Sequence, residues 1–373
     1  MKFKASKIDI YAADIPFKMH FGHTAKHRTV SESIFVRLET ESGISGFGES
    51  LPRKYVTGED QASVISALGK VLPSALSDMK FDSFRDAADF CGSFNILNGA
   101  AKCAVELALL DAAGKVFNCS IIDAFDRQAT NRLKYSAVIG NVPPVKAGLF
   151  ALKCRLYGFE NIKIKVGDAE DIARLKAVRI IAGINTDVRL DANGAWSFTE
   201  AIERLDRMRI FNFSVIEQPV KKGDIASMRK ISRAIPEPVM ADESICTIED
   251  AENLAEARAC KMFNIRLSKC GGIINSLKIA RIAKAAGILY QLGCQVGESG
   301  VLSAAGRHFV SCAEGAKYLE GSYARFLLAE DMVKEDVSFG YGGRANTLKG
   351  PGLGVTVDEH RLKKYIKNKL TIG

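Results

Sequence analysis

Three carboxylates recur at a near-constant interval along this chain. Asp191, Glu217 and Asp242 lie 26 and 25 residues apart, about one strand-plus-helix unit each time. Each follows a short apolar run. Val188–Leu190 leads into Asp191-Ala-Asn193-Gly, Ser214–Ile216 into Glu217-Gln-Pro219, and Pro238–Ala241 into Asp242-Glu-Ser244. Any one of these acids alone reads as a helix N-cap. Three that converge repel one another unless a cation neutralises them. Ligands that are all oxygen favour a hard ion, and Mg²⁺ takes a few carboxylates together with water and substrate oxygens.

Amines accompany the acids. Lys163 and Lys165 stand two apart on the run Asn161–Val166, so on a strand both side chains point the same way. A neighbouring positive charge makes an ammonium release its proton more readily, and a neutral amine is a usable general base. Lys269 follows the sixth run, and Gln295 and Glu298 follow the seventh. A metal flanked by amines suits one chemical problem. The α-proton of a carboxylate is very weakly acidic; a metal on the carboxylate stabilises the enolate while an amine takes the proton.

Such residues have to be brought to one place. Eight apolar runs alternate with helix-length segments from Leu133 to Leu319, at Leu133–Ile139, Asn161–Val166, Val188–Leu190, Ser214–Ile216, Pro238–Ala241, Met262–Ile265, Ile288–Gln291 and Tyr318–Leu319. Eight βα units close most simply into a (β/α)₈ barrel of the TIM type, whose chemistry gathers at the C-terminal ends of its strands. An open doubly wound sheet is the alternative, but no run is followed by a G-x-G-x-x-G turn. Before the barrel, residues 1–132 read as three strands and then three helices, an α+β block. Its first strand and its hairpin are separated by a polar loop with His20, His23 and His27, three of the five histidines. Their uneven spacing reads as solvated or substrate-facing side chains rather than a zinc site. Residues 331–373 form a glycine-rich tail, read as loop rather than phosphate cradle.

Composition narrows the function classes. Hydrophobic residues make up 47% and charged residues 25% of 373, a globular mix. The net charge of +9 is spread along the chain without basic runs, so nucleic acid is not an expected partner. The most apolar stretch, Ala100–Phe117, is interrupted by Lys102, Glu106 and Asp111, so no membrane span is expected. No continuous apolar leader follows Lys2 and Lys4. Nine cysteines without a C-x-x-C pair read as reduced thiols in a cytoplasmic protein. The two glycosylation sequons, at Asn118 and Asn212, then read as chance matches.

The motifs Lys163-Ile-Lys165, Leu190-Asp-Ala-Asn-Gly-Ala-Trp196, Ile216-Glu-Gln-Pro219, Ala241-Asp-Glu-Ser244 and Lys269-Cys-Gly-Gly-Ile273 together resemble the enolase superfamily, and within it the muconate lactonizing (muconate cycloisomerase) subgroup. The resemblance covers nearly the whole chain. It implies a modified, enolase-like barrel over residues 133–330, with 1–132 as the capping domain and 331–373 packing back on it. It implies Mg²⁺, with Mn²⁺ as a substitute, on Asp191, Glu217 and Asp242. Lys165 and Lys269 would be acid/base residues on opposite faces of a small carboxylate substrate, with Lys163 easing proton release from Lys165. The loop of residues 16–29 would close over the site, with Ser50–Tyr55 at its rim. Substrate contacts are expected from Asn193, Gln295, Glu298, Glu320, His23 and Tyr55, and relatives are commonly homo-oligomers. The activities implied are those of a cycloisomerase, racemase or epimerase. The alternatives are an o-succinylbenzoate synthase-like dehydratase and an inactive binding protein on the same fold. Dipeptide epimerases carry Asp-x-Asp at the eighth strand, where this chain has Leu319-Glu320-Gly321 with a single acid. The mandelate racemase subgroup uses a His-Asp dyad, and no histidine lies between His27 and His308.

Overall fold

The computed structural model describes residues 2–23, 26–125 and 133–373; the side chains of residues 19–27, and with them His20, His23 and His27, lie outside that description. The chain opens with three antiparallel strands, β1 (Phe3–His23), β2 (Lys26–Thr40) and β3 (Ser45–Ser50). Strand β1 also pairs with a short β4 (Lys80–Phe81). Residues 16–23 and 26–29 are not the expected loop. Their backbone continues the β1–β2 ladder, with one irregularity between Pro16 and Phe21. The polar residues there broke the apolar alternation, yet main-chain pairing does not depend on it.

Helices α1 (Gln61–Ala75), α2 (Phe84–Ser93) and α3 (Gly99–Phe117) pack on this sheet. Asn98 caps α3 by accepting from Ala101 N at 2.8 Å. The helix is buried nearly all round, as a core helix is. Strand β3 lies directly on it because Gly48 has no side chain; a Cβ there would stand 2.0 Å from the Ala104 carbonyl oxygen. The three buried charged residues of α3 have partners. Asp111 accepts from Phe47 N at 2.9 Å and Leu353 N at 3.0 Å. Lys102 and Glu106 reach the barrel at Asn275 and Ile274.

After α4 (Ile121–Ala124) and β5 (Leu133–Lys134) comes a seven-stranded parallel sheet. Its members are β6 (Ala137–Ile139), β7 (Asn161–Lys165), β8 (Asp187–Asp191), β9 (Phe213–Glu217), β10 (Val239–Ala241), β11 (Met262–Ile265) and β12 (Leu289–Leu292), paired in chain order. Helices α5 (Pro144–Leu156), α6 (Asp171–Ala182), α7 (Phe198–Met208), α8 (Ile225–Ala234) and α9 (Ile248–Glu256) alternate with them. A short α10 (Leu267–Cys270) and α11 (Gly272–Ala285) follow β11, and α12 (Gly300–Ala313) follows β12. The eighth run is not a full strand. Leu319 bridges Leu292 on one side and Tyr135 on the other, both in parallel. Its carbonyl accepts from Ser136 N, and Glu320 N donates to Leu292 O, each at 2.8 Å. That ties the two edges of the sheet into a ring. The positive φ angles of Gly321 and Ser322 end the extended segment there.

The chain then passes through α13 (Ala324–Leu327), β13 (Arg344–Ala345), which pairs with β5, and α14 (Glu359–Tyr365). Strand β14 (Ile366–Ile372) finally pairs antiparallel with β1. No helix of the described residues is long and apolar enough to cross a membrane.

The glycine-rich tail is tied to the barrel ring through His308 on α12, whose Nε2 bonds Leu353 O at 3.0 Å while Nδ1 has no partner among the described residues. Burial drives the imidazole pKa down to about 4. An unfolded chain takes up this proton below about pH 6.5; the folded chain refuses it until about pH 4. Stability from this group is therefore present above about 6.5 and lost as pH falls towards 4. His308→Gln keeps a donor and removes the titration. Urea unfolding at pH 7 and pH 5 should show the variant losing about 2 kcal/mol less than the parent over that interval.

Candidate active site

The C-terminal ends of β7, β8 and β9 lie at one level. Lys165 pairs with Asp191, and Asp191 with Glu217, across the parallel ladder. Met240 pairs with Glu217, so Asp242 stands two residues beyond that level and on the same face. All three acids are completely buried. Backbone detail explains the motifs around them. Asn193 has φ 46°, a left-handed conformation that asparagine tolerates, and turns the chain back after Asp191. Gln218 links two strand ends: its Oε1 accepts from Asp242 N (2.9 Å) and Ser244 N (3.2 Å), and its Nε2 donates to Ser244 Oγ (2.8 Å).

Cations alternate with the acids. Lys163 Nζ lies 3.4 Å from both Asp191 Oδ2 and Glu217 Oε2, and 2.7 Å from Glu320 Oε2. The Arg266 guanidinium contacts Asp242 and stands 3.7 Å from Glu217 Oε1. Lys165 Nζ is 3.3 Å from Asp191 Oδ2 and donates to Asn193 Oδ1. Lys269 Nζ donates to Asp242 Oδ1 at 2.7 Å and to the Asp242 carbonyl. The two amines thus hold opposite ends of the acid row, with Glu217 between.

The electrostatics follow. Burial, and then the charge of Asp191, push the Glu217 carboxyl well above its usual range, against Lys163. Burial would raise Asp242 too, but Arg266 and Lys269 outweigh it and hold it low. Burial pulls the Lys163 ammonium down, but Glu217, Glu320 and Asp191 outweigh that and hold it well above the usual lysine value. Lys269 is likewise raised, with Asp242 overcoming burial.

An all-oxygen set of three buried acids fits a hard cation by its chemistry. As the side chains stand, Lys163 and Arg266 span the acids. Among the described residues, no three carboxyl, thiol or imidazole groups close round a single point.

The residues expected at the substrate divide. Asn193 lies at the site, but its oxygen serves Lys165 and its Nδ2 donates to Glu243 Oε1 at 3.2 Å. Tyr55 is half exposed at the rim under the Arg28 guanidinium, 5.5 Å from its ring centre. Gln295 is buried and accepts from Arg266 at 3.1 Å. Glu298 folds back to accept from Gln295 N at 2.7 Å. Glu320 is buried inside the ring, held by Lys163 and by Arg189 at 3.1 Å. These last three turn to protein partners because buried cations and amides claim their oxygens. His23 falls outside the described side chains.

Four residues escaped the sequence reading. Arg266 and Asn264 flank the acids, with Asn264 Nδ2 donating to Glu217 Oε1 at 2.7 Å. Arg189 lies under the row, and Glu243 beyond Asn193. The signal was strand parity. Arg189 is two residues before Asp191, and Asn264 is two before Arg266, so each pair shares a face.

Comparison with known proteins agrees with this arrangement. Residues 7–125 match the family described as "Mandelate racemase / muconate lactonizing enzyme, N-terminal domain", and residues 150–361 match "Enolase C-terminal domain-like". The chain belongs to the enolase superfamily. Among superfamily relatives, a hydrophobic dipeptide epimerase of Enterococcus faecalis is 30% identical over 316 residues, 83% of this chain and 87% of that protein. An N-succinyl-L-Arg/Lys racemase of Bacillus cereus is 30% identical over 370 residues, 97% of each. The solved structure of the Bacillus cereus racemase matches 99% of this chain and 100% of its own, with TM-score 0.89 and 27% identity. That of a Cytophaga hutchinsonii dipeptide epimerase, complexed with Mg and D-Ala-L-Val, matches 99% of this chain and 100% of its own, with TM-score 0.90 and 26% identity.

Among the described residues, Glu320 is the carboxylate that pairs with Arg189, at 3.1 Å, and it also faces Lys163. Glu320→Ala leaves both cations short of a buried counter-charge. Urea denaturation should register a loss of about 3–5 kcal/mol; a loss under 1 kcal/mol would show that the pairing is not structural.

Proposed function

We propose that this chain is a Mg²⁺-dependent racemase or epimerase that moves the α-proton of a small carboxylate between two lysines. The observation that carries the reading is the position of Lys165 and Lys269 at opposite ends of the acid row, on Asp191 and Asp242. Asp191, Glu217 and Asp242 would hold the ion, with Arg266 drawn off Glu217 and Asp242 to admit it. Mg²⁺ bound there would take the substrate carboxylate oxygens and stabilise the charge that builds on them. Lys165, in its neutral form, removes the proton from one face of the α-carbon. Lys269, held as an ammonium by Asp242, delivers a proton to the other face. The reverse reaction exchanges the roles. Lys163 remains an ammonium among three acids and neutralises the base of the acid row.

The two-lysine arrangement favours the muconate lactonizing type of site over one built on a His-Asp dyad. The substrate class we favour is an N-acylated amino acid. A free substrate ammonium needs a carboxylate partner, and Glu320, the acid at the eighth strand, is already bound by Lys163 and Arg189. The Bacillus cereus relative acts, by its name, on N-succinyl arginine and lysine. Unblocked dipeptides are the second class, favoured by the named activity of the Enterococcus faecalis relative.

Polarimetry with N-succinyl amino acids and dipeptides, with Mg²⁺ added, tests the reading. Loss of optical rotation without a new product is expected. A dehydrated product would instead indicate a lyase. In D₂O, Lys165→Ala should abolish α-proton exchange from one stereoisomer and Lys269→Ala from its mirror image. Loss from both isomers in one variant, with full exchange in the other, would defeat the two-base mechanism. Calorimetric titration provides a separate check on the ion: Asp191→Asn, Glu217→Gln and Asp242→Asn should each weaken Mg²⁺ binding at least about tenfold.

A further inference from the structure

The two lysines are carried differently. Lys165 ends the barrel strand β7, paired on its flanks with β6 and β8. Lys269 sits on the four-residue α10, followed by Gly271 and Gly272 at φ 82° and 95°. So short a helix between a strand and two left-handed glycines has little internal support. Its support comes from the N-terminal unit. Gly99, Lys102 and Glu106 of α3 are spaced three and four apart and share one helix face. That face meets the Lys269 turn at three points. A Cβ on Gly99 would stand 2.7 Å from the Lys269 carbonyl oxygen. Lys102 Nζ donates to Asn275 Oδ1 at 3.3 Å. Glu106 Oε1 accepts from Ile274 N at 3.1 Å, and Gly272 is bare where a Cβ would stand 2.3 Å from that oxygen. Leu51, directly after β3, adds a fourth contact, its N donating to Ser268 Oγ at 2.8 Å.

Glu106 is the costly member of this set. It is buried on a largely apolar helix, and among the described residues its Oε2 has no hydrogen-bond partner. A leucine there would satisfy the core of α3. The carboxylate is explained by what it holds, the first turn of α11 directly behind Lys269.

We propose that Glu106 is a positioning residue for Lys269, so that the N-terminal unit governs one of the two proton transfers and not the other. The inference rests on the two-lysine reading of the site. Misplacement of a reacting group by about 1 Å costs on the order of 10²-fold in rate, and Glu106 is the α3 residue that holds the backbone of the first turn of α11, at Ile274 N.

Two conservative variants separate reach from charge. Glu106→Gln keeps the length and an acceptor oxygen; Glu106→Asp keeps the charge and withdraws the oxygen by one methylene. Exchange of the α-proton in D₂O is followed with N-succinyl-L-arginine and N-succinyl-D-arginine, with Lys269→Ala as reference. Glu106→Asp should slow exchange about 10–100-fold from the isomer that Lys269→Ala silences, and less than about threefold from the other, while Glu106→Gln stays near the parent on both. Equal loss from both isomers, no loss, or loss in Glu106→Gln without loss in Glu106→Asp would overturn the proposal. Amide hydrogen exchange on the protein without substrate gives the readout that does not depend on turnover. Residues 267–274 should exchange faster in Glu106→Asp and not in Glu106→Gln, with 161–165 unchanged in both. If Lys269→Ala fails to act on one isomer alone while this local loosening is seen, the two-lysine reading falls and the positioning of the turn stands. If Lys269→Ala acts on one isomer and residues 267–274 remain protected in Glu106→Asp, the positioning role falls.

Discussion

Asp191, Glu217 and Asp242 stand on adjacent strands of one parallel ladder, where neighbouring strands are about 4.8 Å apart. At an effective dielectric near 20, two full charges at that distance repel by about 3–4 kcal/mol. Buried together, three ionised carboxylates would oppose folding on their own account. The surrounding residues answer that repulsion. Lys163 spans the first gap and Arg266 the second, Asn264 donates to the central acid, and Lys165 and Lys269 close the two ends. The same repulsion makes the row a receptor for a divalent ion. Glu217 stands in the middle of the row, and burial and then Asp191 push it towards its neutral form.

A second polar layer lies beneath the first. Arg189, two residues before Asp191, contacts Glu320 and Gln291 and covers the ring of Tyr318 at 4.2 Å. Lys163 bridges the layers, touching Glu320 below and Asp191 and Glu217 above. Its position in the middle explains its direction of shift. Burial pulls its ammonium down, but three carboxylates round Lys163 hold it well above the usual lysine value. Glu320 also sits beside Leu319, the residue that closes the ring between β12 and the segment before β6. Ring closure and the charge balance of the site therefore meet in two consecutive residues.

The parts of this arrangement legible in the sequence were those with a repeat. The acids recur once per βα unit, and the two amines on β7 share a parity, so both patterns survive without a structure. Eight apolar runs suggested eight strands, and seven of them form the parallel sheet. The eighth did not form a strand because its run is two residues long and meets left-handed backbone at Gly321. Arg189 and Asn264 stand on inward strand positions before the strand ends, where apolar side chains are the ordinary expectation, and Arg266, directly after β11, has the type of a surface residue although the fold buries it. Glu298 and Glu320 looked available for substrate because an acid at a barrel mouth reads as exposed. Glu320 is claimed by Lys163 and Arg189, each more than 100 residues earlier, which no local pattern records, while Glu298 turns back to Gln295 N within its own loop. The β1–β2 ladder beyond Pro16 was hidden for a related reason, since its side chains do not alternate.

Helix α3 shows how far such long-range contacts reach. On sequence, Lys102, Glu106 and Asp111 are interruptions that stop an apolar stretch from being a membrane span. In the fold, each one is a strut. Asp111 holds β3 and the tail at Leu353; Lys102 and Glu106 hold the turn behind Lys269. Their spacing decides which neighbour each can reach. Positions 102 and 106 are four apart and point one way, while Asp111, five residues further on, points elsewhere. A helix buried on all sides can carry a polar residue only where a partner waits. The polar positions of α3 therefore map the elements packed round it, and two of the three face the segment that bears a lysine of the site. Any change that tilts α3 moves that turn, whereas the β7 lysine, embedded in the ladder, stays with the barrel. The asymmetry between the two amines is built into which unit of the chain supports each.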